Sequence, residues 1–131
     1  MKITPVEKLI EQANAQIETW TAERSLTEQG AGNSVLVDIR DIRELGREGK
    51  VADAVHAPRG MLEFWFDPSS KYHREIFAEY DKRYVLFCAM GWRSALAAKT
   101  LKDMGFTNIA HVDGGFAALK EAGAEIEEPG S

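Results

Sequence analysis

Arg83-Tyr84-Val85-Leu86-Phe87-Cys88-Ala89-Met90-Gly91-Trp92-Arg93-Ser94 changes its character part-way along. Residues 83–88 are an apolar, aromatic and branched run that reads as a strand. From Trp92 to Met104 the pattern is helical and rich in alanine and leucine, and Gly105 closes it as a left-handed cap. Cys88 therefore stands where a strand hands over to a helix. In α/β sheets, that carboxyl end of a strand is where ligands bind.

Upstream, Ser34-Val35-Leu36-Val37-Asp38-Ile39-Arg40 is apolar at nearly every position, as a strand covered on both faces requires, and predicts a central place in a parallel sheet. Asp41 can cap a helix through Glu48, stopped by Gly49. Val55-His56-Ala57 is a brief strand ending at Pro58. Residues 59–66 predict a short apolar helix and Asp67-Pro68-Ser69-Ser70 a turn. Tyr72, Ile76, Phe77 and Tyr80, three or four apart, predict a further helix. Ile109 to Val112 is another strand, Gly114-Gly115 a turn, and Phe116 to Ala122 a last helix ended by Gly123.

Toward the N-terminus, Thr4-Pro5-Val6-Glu7 reads as a capping box opening a helix to about residue 17. A short extended piece follows near residues 16–21, and Thr21 can cap a second helix before the turn at residues 29–33. Strands alternating with helices through short loops predict a three-layer α/β/α domain with a mainly parallel central sheet. At 131 residues the chain suits one domain, with a core at about 17–123 and an acidic tail over 124–131 expected to fray.

A net charge of -5 and a pI near 5.2 argue against nucleic acid or a membrane surface as partners. The start of the chain has no apolar signal region, and no run of about 18 apolar residues occurs, so a soluble, cytoplasmic protein is expected. One cysteine cannot form an internal disulfide. His56, His73 and His111 lack metal-ligand spacing, so neither a metal site nor a cofactor is expected. His56 and His111, inside apolar strand text, read as satisfied core or edge residues, and His73 as solvated. Phe64, Trp65 and Phe66 read as core.

A loop leaving a strand for a helix can turn several backbone N–H groups toward one point, forming an anion nest at the helix N-terminus. Gly91 permits the turn, and a thiol placed there has its ionised form favoured by those donors, with Arg93 adding charge if it folds back. The same cradle would stabilise a persulfide on Cys88, whose outer sulfur can pass to a nucleophile.

Four blocks in order and spacing make the sequence resemble the single-domain rhodanese-like sulfurtransferases. They are Val35-Leu36-Val37-Asp38-Ile39-Arg40 with Glu44, His56-Ala57-Pro58, Val85-Leu86-Phe87-Cys88 with Gly91 and Arg93-Ser94, and Asp113-Gly114-Gly115-Phe116. The resemblance implies that Cys88 is the persulfide-forming nucleophile and residues 89–93 the active-site loop. Ala89, Met90, Gly91, Trp92 and Arg93 would then contact substrate, and Asp38 and Arg40 would form a buried supporting pair. It also implies a small sulfur donor such as thiosulfate, with cyanide or a thiol, including a protein thiol, as acceptor. Arg59, just after Pro58, is a further substrate-contact candidate, with an exposed salt bridge as its other reading. Gly49-Lys50-Val51-Ala52-Asp53-Ala54 departs from the family's usual Gly-His-Ile-Pro-Gly-Ala, and Phe116 and Leu119 stand where tryptophans are common. Two other functions stay open: a thiol phosphatase or arsenate reductase, where five residues separate Cys from Arg instead of four, and a non-catalytic interaction module.

Overall fold

The computed structural model describes residues 1–129. Along the chain run α1 (Val6–Asn14), β1 (Glu18–Trp20), α2 (Ala22–Gly30), β2 (Ser34–Asp38), α3 (Ile42–Glu48), β3 (Lys50–Val51) and β4 (Val55–His56). Then follow α4 (Leu62–Phe66), β5 (Arg83–Phe87), α5 (Trp92–Asp103), β6 (Ile109–Val112), α6 (Gly115–Glu121) and β7 (Ile126–Glu127). Five strands make one parallel sheet in the order β1-β6-β5-β2-β4. β2 is interior, as its two-sided apolar pattern requires, but the middle place belongs to β5.

Period-two alternation sorts the strand side chains onto two cores. Val37, Ile39, Tyr84, Leu86 and Cys88 face one side, where Leu62 and Phe66 of α4 and Ala97, Ala98 and Leu101 of α5 cover them. Leu36, Val85, Phe87, Ala110 and Val112 face the other, against Ala22 of α2 and Phe116 and Leu119 of α6. The result is the three-layer α/β/α arrangement. No helix among the described residues is long and apolar enough to cross a membrane.

Thr21 caps α2 by accepting from the Arg24 N–H at 3.1 Å, and Asp41 and Glu44 form a full capping box on α3. The box expected at Thr4 does not form: Pro5 is the N-cap of α1, with no side-chain cap bond, and the helix ends at Asn14. Residues 59–66 divide into a 3-10 turn at Arg59–Met61 and the short α4.

The helix expected over residues 72–80 is absent apart from a 3-10 turn at Glu75–Phe77. Only Phe77 of the four marker residues is buried, while Tyr72, Ile76 and Tyr80 are exposed. Tertiary hydrogen bonds take the backbone groups a helix would need: the Arg74 N–H donates to Trp65 O at 3.0 Å, and the Tyr84 hydroxyl donates to Ile76 O and accepts from the Glu79 N–H. His73 is half-buried rather than solvated, with Nδ1 2.9 Å from Trp65 O. The tail expected to fray carries β7, which pairs antiparallel with β3 and packs Ile126 on the second core. Residues 130 and 131 of that tail lie outside the described residues.

Of the aromatic triplet, Phe66 is fully buried, Trp65 is partly buried, and Phe64 is exposed. The Phe66 ring stacks on Phe77 at 4.4 Å and meets Tyr84 and Phe106 edge-on at 5.3 and 5.7 Å. Removing it would leave a cavity that three rigid rings cannot close. Phe66→Ala is therefore expected to lower stability by about 3–5 kcal/mol, measured by urea denaturation; a loss under ~1 kcal/mol would show that this cluster does not anchor the first core.

Candidate functional site

The site grows from the register of three parallel strands. Asp38 at the end of β2 pairs with Phe87 at the end of β5, and the Ile39 N–H donates to Phe87 O at 2.9 Å. Cys88 follows immediately, so its sulfur emerges beside the segment Asp38–Arg40. Arg40 is fully buried and returns to Asp38: its Nε and Nη2 donate to the carboxylate at 3.0 and 2.9 Å, and Nη2 also donates to Gly49 O at 2.9 Å. The Arg40 carbonyl oxygen lies 2.7 Å from His56 Nε2, which ties β4 to the same corner.

The loop is also held from below. The Phe116 N–H donates to Cys88 O at 2.8 Å, placing the first turn of α6 under the loop. Gly115, at φ 58°, runs so close that a Cβ there would sit 2.8 Å from Ala89 carbonyl atoms. The sequence showed this glycine as a turn residue; its role is close approach.

The Cys88 sulfur is only 1% exposed as a residue, and it borders a cavity of about 160 Å³ lined by Cys88, Ala89, Met90, Trp92 and Arg93. Gly91, at φ 109°, turns its N–H to the sulfur at 3.1 Å. That is one donor of the expected nest. Met90 and Trp92 stand outward at the mouth, Trp92 at 67% exposure. A larger cavity of about 600 Å³ lies at the far end of α5, around Met104 to Asn108, away from Cys88.

Arg93 does not act on the sulfur as a free cation. Its two terminal nitrogens donate to the two carboxylate oxygens of Glu44 at 2.8 and 2.9 Å, a bidentate pair joining α5 to α3. Glu44 holds the Arg93 guanidinium above its ordinary pKa, burial opposes this, and the Cys88 sulfur adds a smaller contribution. In return, Arg93 holds the Glu44 carboxyl down at about 2, against a burial effect of opposite sign. Glu44 is thus a site residue that was visible in the sequence only as a motif position. Arg59, the other candidate cation, does not line the cavity; it pairs with Glu63 at 2.6 Å.

On the other side of the sulfur, Ser94 Oγ lies 3.7 Å from Cys88 Sγ and 2.9 Å from His111 Nδ1. His111 is buried as the strand text suggested, and burial pushes its pKa down to about 4. Its contact with Ser94, seventeen positions away, could not be read from spacing. Among the described residues, no group of three or more His, Cys, Asp or Glu could hold a metal ion.

A sequence profile described as the rhodanese-like domain matches residues 21–122. This chain belongs to the rhodanese-like domain family. Within that family it is 36% identical over 93 residues to the thiosulfate sulfurtransferase GlpE of Pseudomonas syringae pv. syringae, covering 71% of this chain and 76% of the relative. Among solved structures, a rhodanese-related protein of Thermoplasma volcanium superposes with a TM-score of 0.66 at 26% identity, covering 84% of this chain and 97% of that one. A Rhodopseudomonas palustris protein of unknown function, described as a possible tyrosine phosphatase, superposes with a TM-score of 0.88 at 48% identity, covering 97% and 98%.

The Glu44–Arg93 pair gives this rhodanese-like site an acid-sensitive brace. Glu44 ionises near 2 in the folded chain against 4.5 ordinarily, so its contribution is complete above pH 4.5 and is lost as the pH falls toward 2. Glu44→Gln is expected to lower stability at pH 7 by about 1–2 kcal/mol, a range that allows for the solvent exposure of Arg93. The gap to the parent should close below pH 4.5, as read from urea midpoints across pH. A constant gap would assign the effect to something other than the ion pair.

Proposed function

We propose that this protein is a sulfurtransferase in which Cys88 accepts sulfane sulfur from a small donor such as thiosulfate and passes it to cyanide or a thiol. The Cys88 thiolate attacks the outer sulfur of the donor; a Cys88–sulfur bond forms, the donor's sulfur–sulfur bond breaks, and sulfite leaves with the electron pair. The acceptor's nucleophilic atom then attacks the outer sulfur of the persulfide, and the Cys88 thiolate leaves. No oxidant or reductant is consumed. With a single cysteine in the chain, the acceptor comes from outside, as a small molecule or as a thiol on another protein. We place the reaction in the cytoplasm, where an unpaired thiol stays reduced.

The observation that carries this reading is the small cradle: a buried sulfur, the Gly91 N–H at 3.1 Å and a cavity of about 160 Å³. In the mechanism, that N–H and the neighbouring loop hold charge on the sulfur, while Ala89, Met90 and Trp92 bound the space for one additional sulfur atom. Asp38 and Arg40 hold the end of β2 against the loop and take no part in bond making. The relative named thiosulfate sulfurtransferase supports the same reading.

The description of the Rhodopseudomonas protein gives a phosphatase reading its support. Against it stands the loop itself. Only four residues separate Cys88 from Arg93, and both terminal nitrogens of Arg93, which lines the cavity, are engaged by the Glu44 carboxylate, which neutralises the cation that phosphoryl oxygens would need. A non-catalytic role fits poorly with a thiol that keeps both its donor and its cavity.

Intact-mass measurement after incubation with thiosulfate tests the proposal. The parent chain is expected to gain the mass of one sulfur atom, and Cys88→Ser is expected to gain none. No added sulfur on the parent, or equal addition on both chains, would refute it.

A further inference from the structure

We propose that the N-terminal segment, acting through Asn14 and His111, turns the Ser94 hydroxyl proton away from Cys88 and so withholds from the thiolate a hydrogen bond that Ser94 could otherwise donate. Four side chains connect in series. Cys88 Sγ is 3.7 Å from Ser94 Oγ, which is 2.9 Å from His111 Nδ1; His111 Nε2 is 3.2 Å from both Asn14 Oδ1 and Thr19 Oγ1. Asn14 ends α1 and Thr19 lies on β1, both upstream of residue 21, where the rhodanese-like match begins.

The donor and acceptor chemistry of these groups fixes the direction of the chain. A carboxamide oxygen only accepts, so Asn14 Oδ1 requires the proton on Nε2. A hydroxyl can either donate or accept, so Thr19 follows whichever tautomer Asn14 selects. The imidazole is neutral at pH 7, because burial lowers its pKa to about 4, so Nδ1 carries a lone pair and must accept. Ser94 has one proton, and the short bond to Nδ1 takes it; Gly91 O, at 3.3 Å, is the one other acceptor for that hydroxyl among the described residues. What Ser94 shows the sulfur is therefore an oxygen lone pair. That arrangement accepts the S–H bond of a thiol and repels a thiolate.

The charged groups near this series are few. Arg93 of α5, bound to Glu44 of α3, stands on the sulfur side, and Asp113, just past β6, acts on the imidazole, raising its pKa against the larger effect of burial. α1 and β1 contribute only the uncharged Asn14 and Thr19. Asn14 and His111 do not line the cavity, and their hydrogen bonds go to each other, Ser94 and Thr19 and not to the sulfur, so they are positioning residues. Loss of the Asn14 oxygen lets Nε2 accept from the Thr19 hydroxyl. The proton then sits on Nδ1, donates to Ser94 Oγ, and frees the serine proton to swing to the sulfur.

Ultraviolet titration of thiolate formation, unambiguous because the chain has one cysteine, tests this directly. In Asn14→Ala the midpoint is expected to fall by about half a pH unit, roughly a threefold larger ionisation constant. His111→Leu should shift it in the same direction, and neither change should have an effect in a Ser94→Ala background. Asn14 is exposed at the end of α1, so its variant decides the matter if His111→Leu does not fold. An unmoved midpoint, a rise, or a shift that persists without Ser94 would each overturn the proposal. The inference rests on Cys88 as the reacting group, but the titration uses no sulfur donor, so its failure leaves the sulfur-transfer reading to its own test.

Discussion

A buried guanidinium is tolerated only if its protons find acceptors, because the cost of removing the charge from water exceeds what one ion pair returns. Arg40 meets most of that demand by drawing together chain segments that are otherwise separate. Asp38 at the end of β2 and Gly49 at the end of α3 both accept from it, and Glu48 lies 3.9 Å from the remaining Nη1, which makes no hydrogen bond among the described residues. The Phe116 ring of α6 packs against the guanidinium at 4.0 Å. Because the Phe116 N–H holds Cys88 O, the arginine that closes the end of β2 also fixes the platform on which the reactive loop rests.

Around that platform, charge is paired rather than presented. Arg93 is matched by Glu44 and Arg59 by Glu63, so the sulfur is surrounded by a backbone N–H, a hydroxyl, apolar side chains and one cation already paired with a carboxylate. A site built this way suits a soft, polarisable sulfur atom better than a phosphoryl group, whose charge is spread over several oxygens and calls for converging cations. Burial also restricts which partner atoms reach Cys88 and excludes bulk water from the sulfur. On the proposed reading, the exposed Met90 and Trp92 at the mouth would be the first surfaces an incoming donor or acceptor meets.

Much of the fold was legible because its strands are buried on two faces and announce themselves as apolar runs bounded by turn residues. β2, β5 and β6 are of that kind, and the strand-to-helix passage at Cys88 located the site. β3 and β7 were not legible: two-residue strands carry no period, and their pairing joins positions more than seventy residues apart. The apolar spacing over 72–80 imitates a helix, yet Trp65 and Tyr84 capture the backbone groups in that region, and no local pattern records those partners. Glu44 and His111 belong to the same class of omission. Each was visible as a residue, one as a motif position and one as a core or edge histidine, while its bond to Arg93 or Ser94 depends on how distant elements pack. The place of Gly115 was legible, but its reason, the close passage beneath Ala89, was not.

The central claim is that the cradle at Cys88 handles sulfur in preference to phosphorus. Steady-state assay of one preparation for thiocyanate formation from thiosulfate and cyanide, and for phosphate release from an aryl phosphate, compares the two chemistries directly. Thiocyanate formation that is abolished in Cys88→Ser is expected, with no Cys88-dependent phosphate release. Cys88-dependent hydrolysis of the aryl phosphate with no thiocyanate formed would contradict it.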